Sequence, residues 1–99
     1  MLGFIGTGNM ATAIIKGVVA SGLLKGEEIA VYDIAKDKAQ TLAEEYGLNI
    51  YDSENEIAKK CDKVVLSVKP NIFPTLLEKI DGELKVNDPL IISIAAGKT

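Results

Sequence analysis

The stretch that constrains this chain most is its start, MLGFIGTGNMATAI. A short apolar run, Leu2 to Ile5, closes on Gly6, and apolar residues then recur at Met10, Ala13, Ile14, Val18 and Val19. The run reads as a buried strand, and the recurrence predicts a helix over Asn9 to Ser21. Between them lies Gly6-Thr7-Gly8-Asn9-Met10-Ala11, of the form G-x-G-x-x-A. In that setting each small residue has a task. Gly6 makes the tight turn out of the strand. Gly8 lets a pyrophosphate rest against the backbone. Ala11 is small enough for the helix to lie close on the sheet. The free N–H groups and the positive dipole end of the helix then face the phosphates. Gly3, one step earlier, suggests a close approach by a helix or a neighbouring strand. The plainer alternative is a glycine-rich turn that binds nothing. A second strand ending in an acid, Asp33, favours the dinucleotide reading, because the fingerprint places such an acid some 20 residues on.

The remainder alternates strand and helix. Ile29 to Tyr32 predicts a strand. Lys36 to Tyr46 predicts a helix with Ala39, Leu42, Ala43 and Tyr46 on one face. Gly22 and Gly47 sit where helices end on a left-handed residue. Gly17, inside the first helix, carries a penalty of about 1 kcal/mol against alanine and so points to close packing there. A weak third strand is expected at Asn49 to Tyr51. Ser53 and Glu56 form a capping-box pattern for a short helix to Lys60. Lys63 to Val68 predicts a strand stopped by Pro70. Ile72 to Ile80 predicts a helix with Pro74 in its first turn, where proline is tolerated. Leu90 to Ile94, after Pro89, predicts a last strand. Such alternation implies parallel strands with right-handed crossovers. The expected fold is a Rossmann-like open α/β sheet of order 3-2-1-4-5 in one dinucleotide-binding domain over residues 1–99.

Composition narrows the chemistry. The net charge is −3, so no basic field argues for nucleic acid or an anionic membrane, and a bound phosphate must be held by local geometry. There is no histidine and a single cysteine, Cys61. An internal disulfide is excluded, and neither a Cys/His metal site nor a histidine base is available. Cys61 reads as a semi-buried structural residue rather than a reactive thiol. No apolar stretch approaches the roughly 18 residues of a membrane span, and no signal pattern opens the chain, so a cytoplasmic protein is expected.

Asp33 has two readings. Its carboxylate could accept from the adenosine ribose hydroxyls and repel a 2′-phosphate, favouring NAD over NADP. It could equally be a turn residue after a strand. Lys36 and Lys38 could pair with a 2′-phosphate, but such lysines are more often a solvated helix face.

Three stretches, GFIGTGNMATAI, SVKP at Ser67 to Pro70, and SIAAGKT at the end, together resemble the N-terminal domain of pyrroline-5-carboxylate reductases. The resemblance runs over the whole chain. It implies that Ile5, Gly6, Thr7, Gly8, Asn9 and Met10 cradle the cofactor pyrophosphate. It implies that Ser67, Val68, Lys69 and Pro70 lie beside the ribose and nicotinamide. Ala95, Ala96 and Gly97 would then pass close under the nicotinamide. Plainer roles exist: strand termination for Pro70, an exposed loop lysine for Lys69, tight strand packing for the alanines. The family usually takes NADPH, whereas Asp33-Ile34-Ala35-Lys36 departs from its pattern after the second strand. Glu54 stands where many members have asparagine, leaving an adenine contact or a turn role for the neighbouring Asn55.

The implied parent reaction is hydride transfer from NAD(P)H to the C=N bond of pyrroline-5-carboxylate, giving proline. Family members run well over a hundred residues further, into a helical domain that builds the dimer and most of the substrate pocket. The chain therefore reads as a fragment, with a homo-oligomeric parent, a small-molecule substrate, no catalytic residue of its own and uncovered apolar surface. It is expected to bind cofactor weakly and to turn over nothing. Rival readings are a related reductase, such as an F420-dependent NADP reductase, a non-catalytic dinucleotide-sensing module and, more distantly, an S-adenosylmethionine site.

Overall fold

The computed structural model describes residues 1–94. In chain order the elements are β1 (Leu2–Ile5), α1 (Asn9–Ala20), a 3-10 turn (Gly26–Glu28), β2 (Ile29–Tyr32), α2 (Lys36–Tyr46), β3 (Asn49–Ile50), α3 (Glu54–Lys60), β4 (Lys63–Leu66), a second 3-10 turn (Pro70–Ile72), α4 (Phe73–Asn87) and β5 (Leu90–Ser93). The five strands form one sheet of order β3-β2-β1-β4-β5, as expected. Every pairing is parallel.

Alternation along the strands sorts the core into two layers, because successive side chains leave a strand on opposite faces. Phe4, Ile29, Val31 and Val65 point to one face and meet Ala11 and Ile15 of α1 and Ala39, Leu42 and Ala43 of α2. Ile5, Ala30, Val64 and Leu66 point to the other and meet Ile57, Ala58 and Cys61 with Leu76 and Ile80 of α4. Gly3 lies on this second face, and a Cβ there would sit 2.6 Å from Cys61 Sγ and 2.7 Å from Ile57 Cγ2. The close approach expected at Gly3 is made by α3 and the cysteine that follows it. Leu90 and Ile92 of β5 are exposed.

Burial fixes the behaviour of Cys61. Its side chain is fully covered, and burial pushes the thiol pKa from 9.0 up to about 11. The folded state holds this proton more tightly than the unfolded state. The resulting stability is complete below pH 9.0 and is lost as pH rises through about 11. We expect the native thiol to resist iodoacetamide at about pH 8 and the urea-unfolded thiol to react readily. Equal rates in the two states would show that the thiol is not covered.

Several boundaries differ from the sequence reading. The helix expected over Ile72 to Ile80 begins at Phe73 and runs on to Asn87. Gly82 lies within the added turns, where it meets open space and costs only local propensity. Beyond it Leu84 packs on the core, and the Asn87 amide donates to the carbonyls of Ala58 and Cys61 at 2.9 and 2.6 Å. Those two bonds satisfy carbonyls at the end of α3. The helix closes on Asp88 at φ 49° rather than on a glycine.

The strand expected to run to Val68 leaves the sheet after Leu66. β3 and β5 each end one residue early. α1 ends at Ala20, and Gly22 at φ 79° donates to the Val19 carbonyl while Leu23 donates to that of Val18. The capping box at α3 is only half reciprocal. Ser53 Oγ accepts from the Glu56 N–H at 3.1 Å, but Glu56 Oε1 accepts from the N–H of Asp52, not of Ser53. Gly17 corrects the sequence reading outright: it is exposed and nothing lies within 4 Å of a Cβ built on it.

Candidate functional site

The carboxyl ends of β1, β2 and β4 converge on one cleft, at the place where the strand order reverses direction. Open α/β sheets collect ligands at this position, since neighbouring loops part to opposite faces. The cleft has a volume of about 820 Å³. That lies within the usual span of small-molecule sites, roughly 300–1,000 Å³.

The glycine turn forms its floor. Gly6 donates to the Tyr32 carbonyl at 2.8 Å, and Ser67 donates to the Ile5 carbonyl at 2.9 Å, so the exit of β1 is held from both sides. Gly6 adopts φ 99°, in the region that favours glycine, and a Cβ there would stand 2.2 Å from the Ser67 carbonyl oxygen. The tight turn expected at Gly6 is thus enforced by a neighbour as well as by its own backbone. Gly8 is the N-cap of α1, and nothing lies within 4 Å of a Cβ built on it. It offers no side chain to accept from the first-turn N–H groups, and no acid stands in that turn. Ala11 is fully buried beneath the sheet-facing side of the helix.

Asp33 faces the same turn. Its Oδ2 accepts from both the Thr7 N–H and the Thr7 hydroxyl, each at 2.7 Å, and its Oδ1 accepts from the Ala35 N–H at 2.8 Å. The turn-residue role considered for Asp33 is therefore present, and the carboxylate lines the cleft as well.

Ile5, Gly6, Thr7, Gly8, Asn9 and Met10 all line the cleft, joined by Ser67, Val68 and Lys69. The two segments named by the resemblance are brought together although about sixty residues separate them in sequence. Ser67 is buried, and its hydroxyl has no hydrogen-bond partner among the described residues. Pro70 opens the 3-10 turn that leads into α4. Ala95, Ala96 and Gly97 lie outside the described residues.

Other cleft residues were missed by sequence reasoning. Tyr32, Ile34, Ala13, Glu54 and Ile72 complete the lining. Tyr32 and Ile34 flank Asp33, and adjacency to the acid was the available signal. Glu54 arrives from the α3 end, at the position where the resemblance has asparagine, and Ile72 from the α4 end, where nothing local in the sequence marked it. Glu54 is paired with Lys79 at 3.0 Å. Asn55 does not face the cleft: its amide donates to the Lys79 carbonyl and to Glu83, both at 3.0 Å. Its role is to pin α3 to α4, which corrects both the adenine contact and the turn role considered for it. Lys36 and Lys38 are exposed and do not line this cleft. No cluster of potential metal ligands occurs among the described residues. Nor is any helix there long and apolar enough to cross a membrane.

Residues 1–97 match the family model described as NADP oxidoreductase, coenzyme F420-dependent. The chain belongs to that family. The resemblance drawn from its three motifs also holds over nearly the whole of this chain. The chain is 41% identical over 98 residues to the pyrroline-5-carboxylate reductase of Escherichia coli K12, covering 99% of this chain and 36% of that protein. A pyrroline-5-carboxylate reductase structure from Coxiella burnetii superposes with a TM-score of 0.87 at 34% identity, over 99% of this chain and 36% of that one. The Plasmodium falciparum pyrroline carboxylate reductase, solved with NADP bound, gives a TM-score of 0.78 at 34% identity, over 94% of this chain and 32% of that one. The chain thus spans about a third of the length of these relatives.

Proposed function

We propose that this chain is the dinucleotide-binding part of a pyrroline-5-carboxylate reductase. The observation that carries the reading is an uncapped helix start behind Gly8, opening onto a cleft at the carboxyl ends of β1, β2 and β4. Free N–H groups and the helix dipole make such a corner suited to a pyrophosphate even in a chain of net charge −3. The likeness to reductases of that name supplies the substrate class.

In this reading Ile5 to Met10 hold the pyrophosphate against the backbone. Ser67, Val68, Lys69 and Pro70 border the ribose and nicotinamide. Asp33 keeps a lone pair on Oδ1 for a ribose hydroxyl, and its charge disfavours a 2′-phosphate, so NADH is favoured over NADPH. A bound nicotinamide would supply the hydride for the C=N carbon of 1-pyrroline-5-carboxylate, and a proton on the ring nitrogen completes L-proline. What these residues contribute is position and electrostatics. None of them is assigned as the proton donor. The match to reductases of pyrroline-5-carboxylate, together with the SVKP motif, favours this substrate over an F420-coupled reaction.

The test is a fluorescence titration with NADH and NADPH, followed by an assay for proline. We expect saturable binding of both dinucleotides, tighter for NADH, and no proline from the 99-residue chain alone. Absence of binding to either dinucleotide would remove the reading. Proline formation by the isolated chain would show that the catalytic set is complete within it.

A further inference from the structure

We infer that Asp33 is a positioning residue for the phosphate-binding turn and acts on the cofactor through Thr7. This rests on the dinucleotide reading of the cleft and adds a role that ribose recognition alone does not contain. Three short bonds define the arrangement. Oδ2 takes both donors of Thr7, the N–H and the hydroxyl, at 2.7 Å each. Oδ1 takes the Ala35 N–H at 2.8 Å. One carboxylate therefore ties the β1–α1 turn to the β2–α2 turn, across the cleft that both border.

The tie has a directional consequence. Thr7 sits between the two glycines of the turn, where the backbone has the least intrinsic preference for one conformation. Gly6 is held by Tyr32 and walled in by Ser67, and Thr12 already donates into the helix ladder at the Gly8 carbonyl. Thr7 is the link between those two anchors, and its side chain is buried. With its N–H and hydroxyl both turned to Asp33, Thr7 cannot rotate its amide toward the phosphates. The first-turn N–H groups of α1 are left as the anion-facing donors. Bonds to a charged acceptor are stronger than neutral ones, so a single carboxylate can hold this geometry. Both lone-pair sites of Oδ2 are filled from within the chain, so Oδ2 serves the turn and only Oδ1 keeps a lone pair for a ribose hydroxyl.

A double-mutant cycle with NADH and NADPH tests the inference. Thr7→Val removes the hydroxyl and should weaken both dinucleotides by about three- to tenfold, with their ratio unchanged. Thr7→Ser keeps the hydroxyl and should restore affinity. Asp33→Ser should weaken NADH by about tenfold or more. The double variant should be no weaker than Asp33→Ser alone, because Thr7 has nothing left to bind. In the ligand-free protein, hydrogen exchange at the Thr7 amide should accelerate in Asp33→Ser while core amides of β1 stay protected.

Losses that add in the double variant, or a Thr7 amide equally protected in Asp33→Ser, would overturn the inference and leave Asp33 as a ribose reader. A wild-type protein that binds neither dinucleotide would instead overturn the reading of the cleft, and the exchange measurement would then judge the Thr7 tie by itself.

Discussion

Replacing Gly6 by alanine is expected to destabilise the chain by about 3–5 kcal/mol, enough to leave a domain of this size largely unfolded at physiological temperature. Two causes combine. The residue adopts φ 99°, which a side chain rarely tolerates, and the new methyl would stand 2.2 Å from the Ser67 carbonyl oxygen. That oxygen belongs to backbone already anchored by the Ser67 bond to Ile5, so it cannot retreat as a flexible side chain could. Relief would require parting β1 from β4 at the mouth of the cleft. Urea denaturation followed by circular dichroism measures the loss. A midpoint shift corresponding to less than about 1 kcal/mol would mean that the turn relaxes freely and that the contact with Ser67 is not a constraint.

Gly8→Asp should do the opposite to stability and far more to binding. Gly8 is the N-cap of α1, its φ of −73° and ψ of −173° suit any residue, and nothing lies within 4 Å of a new Cβ. Aspartate is among the preferred N-cap residues, and its carboxylate would accept from the first-turn N–H groups that glycine leaves free. The fold should therefore be as stable as the wild type or slightly more so, by a few tenths of a kcal/mol. Dinucleotide affinity should fall by about a hundredfold or more. The carboxylate takes the donors meant for the pyrophosphate and sets a like charge beside it, a repulsion of about 1–4 kcal/mol between the solvent-exposed and surface-screened limits. Thermal unfolding and a cofactor titration on one sample separate the two effects. A variant that keeps wild-type affinity would show that the diphosphate does not rest at this corner. Taken together, the two glycines distinguish a turn needed for folding from one needed for an anion, although they are equivalent in the motif.

The remaining differences between sequence and structure have a common physical origin. Apolar alternation and recurrence are local, so the strands of the sheet and the cores of the helices were legible, and the parallel order followed from the alternation of element types. Helix stops were less legible where a tertiary bond outweighed a local signal. Asn87 carries α4 past the expected end at Ile80 because it finds the carbonyls of Ala58 and Cys61, residues far away in the chain. Gly17 shows the reverse: an unfavourable residue suggested packing, and the structure leaves it facing open space. Gly26 passed unnoticed in the sequence, yet a Cβ there would lie 2.0 Å from the Tyr46 carbonyl oxygen.

What the sequence by itself determined was the type and order of the elements and the presence of a turn almost free of side chains between β1 and α1. Those properties depend on residues close together in the chain, where backbone sterics and periodicity act directly. Only the tertiary structure decided which residues meet at the cleft. Glu54 and Ile72 come to it from different helices, Ser67 walls in Gly6, and Asp33 holds Thr7. Each of these contacts joins residues far apart in the chain: the parallel pairing of β1 with β2 and β4 brings Asp33 and Ser67 to the glycine turn, and the close packing of α3 over Gly3 brings its end to the same sheet face, which no local pattern specifies.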